Sequence, residues 1–71
     1  MLSRERDDGR EEYGAYSCFT TPEDARAWAA LPCGPLRPET EPDHDYSGAY
    51  WVVTWWGDTR DDVLRHKPRT R

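Results

Sequence analysis

Tyr50-Trp51-Val52-Val53-Thr54-Trp55-Trp56-Gly57-Asp58-Thr59 is the stretch on which the fold turns. β-Branched and aromatic side chains suit a pleated surface, so Ala49–Trp56 reads as a strand and Gly57-Asp58 as its end. Thr59-Arg60-Asp61-Asp62-Val63-Leu64-Arg65-His66 follows with acids first and bases last, the order that complements a helix dipole, and Pro68 stops it. Both faces of the strand are apolar. Either Trp51, Val53 and Trp55 or Tyr50, Val52, Thr54 and Trp56 therefore point away from the helices, and the pattern alone leaves the choice open.

The same order occurs upstream. Tyr13–Phe19 reads as a shorter strand, weakened by Gly14, and Thr21-Pro22-Glu23-Asp24 opens a helix: Thr caps, Pro suits the first turn, and two acids sit at its positive end. That helix should run from Pro22 to about Leu31 with Ala25, Trp28 and Ala29 turned inward, and Pro32 with Gly34-Pro35 ends it. Residues 1–12 are charged and nearly free of apolar side chains, which reads as a mobile arm, and 67–71 reads as a basic tail. The expectation is an α+β single domain over 13–66 in β-α-β-α order. It has a short sheet, two helices on one face and a long Pro-rich acidic loop, and its strands pair directly or through a third strand drawn from that loop.

An aromatic strand leading into a helix with a polar cap and an Ala, as in Tyr13–Ala25, and then repeating, resembles the glycan-binding SPOR domain. The resemblance implies sugar binding by the sheet aromatics. The chain departs from it in having neither a final strand nor an export signal.

Seventy-one residues support one core, and hydrophobic (35%) and charged (34%) residues nearly balance, so nine aromatic side chains must supply much of the burial. No apolar run is long enough for a membrane span or a signal peptide, which points to the cytoplasm and to no membrane partner. Arg outnumbers Lys nine to one, and Ile, Asn and Gln are absent, a bias expected of a GC-rich bacterium or its phage.

Chemistry-bearing patterns are sparse. Asp43-His44-Asp45-Tyr46-Ser47-Gly48 matches the first half of a calcium loop, but Thr54 stands where the bidentate Glu is required, so a solvated turn is the better reading. Cys18, Cys33, His44 and His66 lack zinc spacing, and a strand followed by a returning helix keeps Cys18 and Cys33 about 15 Å apart, too far for a disulfide. Ser17, Cys18 and His44 are isolated, with no catalytic motif around them. The expectation is a non-enzymatic module without cofactor or metal.

What remains is binding. Tyr50, Trp51, Trp55 and Trp56 offer hot-spot side chains, and Glu39, Glu41, Asp43 and Asp45 lie on a loop stiffened by Pro32, Pro35, Pro38 and Pro42. Together they suit another protein with a basic surface, as would an inhibitor of a nucleic-acid-handling or defence protein. A second copy of the chain is the other protein occupant. Nucleic acid would have to use Arg65, His66, Lys67, Arg69 and Arg71 against a net charge of −4.

Overall fold

The computed structural model describes residues 1–43 and 50–69. The elements run β1 (Leu2–Glu5), β2 (Glu11–Phe19), α1 (Pro22–Ala29), β3 (Arg37–Asp43), β4 (Tyr50–Gly57) and α2 (Arg60–His66). The four strands form one antiparallel sheet in the order β1-β2-β4-β3, an α+β architecture. β2 and β3 therefore run parallel with β4 between them, the split arrangement that a crossover helix such as α1 connects.

Local chemistry sets the two helix starts. Thr21 Oγ1 accepts from the Asp24 amide at 3.2 Å, and Thr59 Oγ1 accepts from the Asp62 amide at 3.1 Å, each satisfying a donor that the first turn leaves over. Glu23 and Asp24 in one first turn, and Asp61 and Asp62 in the other, complement the helix dipole.

Burial decides the face of β4. Trp55, Val53, Ala25 and Val63 are almost fully enclosed and form the core with Leu36, so the odd-numbered residues of β4 face the helices. Trp51, Phe19 and Trp28 pack at its margin, with the Phe19 and Trp28 rings 6.0 Å apart. The inward stripe read on α1 is present: Ala25 is buried, and Trp28 and Ala29 lie against the core.

Two expectations are corrected. The segment read as a mobile arm supplies β1, and β2 begins within it at Glu11. The turn between them closes with Arg6 N–H donating to Arg10 O at 2.7 Å, and Gly9, at φ 84°, takes the left-handed conformation the turn needs. The sheet thus gains a strand from the N-terminal side, where the SPOR-like order would end on a strand after its second helix. At the other end Lys67, read as tail, packs inward: its Nζ donates to Ser17 Oγ at 2.9 Å and lies 5.1 Å from the centre of the Trp55 ring. The long loop does supply a strand, β3, but it pairs on the far side of β4, and β2 meets β4 directly.

Candidate functional site: the open face of the sheet

Both helices cover one face, so the other is read from the pairing register. Residues directly opposite each other across neighbouring strands share a face. Starting from the even positions of β4, the rows are Leu2–Gly14–Trp56–Arg37, then Tyr16–Thr54–Glu39, then Cys18–Val52–Glu41, with Tyr50 opposite Asp43 at the end. Each of the two middle rows passes from an aromatic or apolar residue on β2 to a carboxylate on β3.

One end of this face is closed by its own side chains. Gly14 leaves room for the Trp56 ring, since a Cβ there would lie 2.7 Å from Trp56 Cε3. The Arg4 guanidinium stacks over that ring, 3.9 Å from its centre. Glu12 stands beside it, nearly buried, accepting from Arg4 Nε and from Arg37 Nη2, the latter at 2.7 Å. Burial alone would push its carboxyl up, but the guanidinium hydrogen bonds outweigh that and hold it below the ordinary value. Arg4 and Arg37 are correspondingly held more firmly protonated, chiefly by hydrogen bonding to Glu12. Arg4 reaches on to Glu39, while Arg37 and Arg6 share Asp58.

Beyond that end the face is open except at Thr54, which is buried in the middle of its row. Tyr16 is 55% exposed, Leu2 and Tyr50 are exposed, Cys18 is exposed and Val52 is half-buried. Glu39 and Glu41 are exposed along β3, and Glu41 has no hydrogen-bond or ion-pair partner among the described residues. Pro38 and Pro42 cannot donate from the β3 backbone, which suits an edge strand and blunts it.

The sequence-derived site therefore divides. Tyr50, Glu39 and Glu41 lie on the open face, and Asp43 has its register position opposite Tyr50. Trp55 is fully enclosed and Trp51 is turned to the helices, so neither offers a ring to a partner there. Trp56 is on the open face but only 7% exposed beneath Arg4. Asp45 and all but the first residue of the Asp43–Gly48 calcium-like turn lie outside the described residues. Tyr16, Cys18 and Leu2 are the positions that sequence reading missed, while Val52 stood in the even-numbered set it left open. Strict alternation from an inward Trp55 would have found them once β2 was paired with β4.

Ser17 faces the helices, and both cysteines are free thiols, Cys33 Sγ donating to Leu36 O at 3.4 Å. Among the described residues no three metal-ligating side chains gather at one point, and no helix is long and apolar enough to cross a membrane. No family model matches the chain, and neither does any curated protein or solved structure.

Proposed function

We propose that the protein is a non-enzymatic binding module that docks the open face of its sheet onto another protein carrying an apolar surface flanked by Lys and Arg. The observation that carries this is the pairing of Tyr16, Cys18 and Val52 with Glu39 and Glu41 across the same rows of the face. Tyr is favoured at hot spots because it buries a large area while ordering few bonds, and Val52 and Cys18 extend the contact around it. The carboxylates beside that strip, within a chain of net charge −4, steer a basic partner and reject an acidic one.

The same charge argument disfavours the other occupants. A nucleic-acid backbone would meet Glu39 and Glu41 along one side of the aromatic strip. A second copy would bring a face whose arginines are already engaged by Glu12, Glu39 and Asp58, leaving acids without complementary charge. A role as a blocking protein fits this geometry: a basic surface that otherwise receives nucleic acid would be covered by a carboxylate-edged face.

Affinity capture from the source cell tests the reading when the wild-type chain is compared as bait with Tyr16→Asp and with a Glu39→Lys/Glu41→Lys double variant. The expected result is a basic protein retained by the wild type and lost from both variants. Equal retention by all three baits would place the interface elsewhere.

A further inference from the structure

On the open face, beside the clamp of Arg4 and Glu12, the strands leave a notch of about 320 Å³ lined by Arg4, Glu39, Thr40, Glu41, Thr54 and Trp56. That is the lower end of the range of roughly 300–1,000 Å³ in which ligand pockets fall, and it gives room for one long side chain. Three residues offer acceptors there. Thr54 pairs directly with Glu39 across β4 and β3, and Glu41 stands two residues further along β3, diagonal to Thr54. Alternate strand residues lie about 6.6 Å apart and diagonal neighbours about 7–8 Å, so one group placed between the three can reach them all.

Two observations mark this set as made to receive a donor. Thr54 is the least exposed of the lining residues, at 6%, yet its hydroxyl makes no hydrogen bond among the described residues. A buried hydroxyl without a partner costs stability, so a native fold that keeps one calls for a reason. Glu41 is the second observation. It has no hydrogen-bond or ion-pair partner among the described residues, whereas Arg4 on the facing wall is already shared between Glu12 and Glu39. The notch thus holds a spare negative charge and a spare acceptor, and none of its lining residues supplies a cation to meet them.

We propose that this notch seats a single lysine ammonium supplied by the partner protein. The three donors of an ammonium point in separate directions and match acceptors on three residues: the Glu41 carboxylate, Thr54 Oγ1 and the Glu39 carboxylate. A planar guanidinium would find the Glu39 carboxylate already forked onto Arg4, and Arg4 already stacked over Trp56. The lysine methylenes run against Trp56. This inference deepens the docking reading and rests on it for the source of the lysine, but the notch itself is tested without a partner.

The probe is Nα-acetyl-lysine methylamide, titrated into isotope-labelled protein, with the norleucine methylamide as uncharged control and the arginine methylamide as guanidinium control. Saturable shifts are expected at Glu39, Glu41 and Thr54, with the lysine compound binding about tenfold more tightly than the norleucine one and about threefold more tightly than the arginine one. Glu41→Gln should weaken lysine binding about tenfold. Thr54→Val should weaken it about threefold while the urea midpoint of the free protein stays level or rises, because no internal hydrogen bond is lost. A hydroxyl with a merely structural role would lower that midpoint and leave binding alone. Should Thr54→Val not fold, Glu41→Gln decides. Equal binding of the three compounds, tighter binding of the arginine one, or binding indifferent to Glu41→Gln would overturn the notch as a lysine seat. A basic protein captured by the wild type alongside no saturable probe binding would refute the notch and leave the docking face standing. Probe binding as expected with no basic protein captured would do the opposite.

Discussion

Replacing Glu12 by Gln tests the clamp that closes one end of the open face. The substitution keeps the shape of the side chain and removes its charge. Two charge-assisted hydrogen bonds are weakened, each worth about 1.5–3 kcal/mol when sheltered from water. The side chains of Arg4 and Arg37 are 44% and 47% exposed, so solvent recovers part of that loss and about 1 kcal/mol per bond is the fair figure. The expected cost at pH 7 is therefore about 2 kcal/mol, a large share of the stability of a domain this small. The sign of the pH dependence follows from the depressed carboxyl. Between the folded value and the ordinary value of 4.5 the unfolded chain binds more protons, so the stability Glu12 contributes is complete above 4.5 and is lost as the pH falls through the folded value. Urea unfolding of wild type and Glu12→Gln at pH 7 and again near pH 2 measures both parts. The difference should shrink sharply in acid. A gap of the same size at both pH values would mean that shape, not charge, holds the clamp, and no gap at pH 7 would refute it outright.

The other perturbations probe the core, the caps and the ring stacking. Trp55→Ala empties the centre of the core at a cost of about 3–5 kcal/mol, so circular dichroism should show a largely unfolded chain; a folded spectrum would contradict the central place of this ring. Thr21→Ala and Thr59→Ala should each cost about 1 kcal/mol in urea melts, and no loss from either would mean that the hydroxyl caps are idle. Gly14→Ala puts a methyl against the Trp56 ring at a cost of about 1–3 kcal/mol and should raise acrylamide quenching of tryptophan emission as the ring lifts; unchanged quenching would count against the stack of Gly14, Trp56 and Arg4.

The parts of this fold that were legible in the sequence are those set by neighbours along the chain. Thr21-Pro22-Glu23-Asp24 and Thr59-Arg60-Asp61-Asp62 announce helix starts because the cap, the proline and the acids all act within one turn. β4 was visible because its side chains suit a strand whichever way it faces. That same property hid its orientation: with Trp on both alternations, the choice fell to long-range packing against Ala25, Val63 and Leu36. Two of the expected hot-spot tryptophans are structural for this reason. β1 was hidden because its anchor is the pairing of Arg4 with Glu12 rather than apolar burial, although Asp8-Gly9 is a hairpin signal that could have marked it. β3 was obscured by Pro38 and Pro42, which an edge strand tolerates. Glu39 and Glu41 share a face because alternate residues of an edge strand do so whatever their partners are.

A partner that docks on the open face would cover Cys18, which sits within that face as an exposed thiol. In a Cys33→Ala background it is the single cysteine of the chain. The rate of its alkylation by a maleimide, measured with and without a saturating amount of the captured basic partner, reads the coverage directly. Ready alkylation of the free protein and strong protection in the complex are expected. Alkylation of Cys18 at the same rate in the saturated complex would contradict docking on this face.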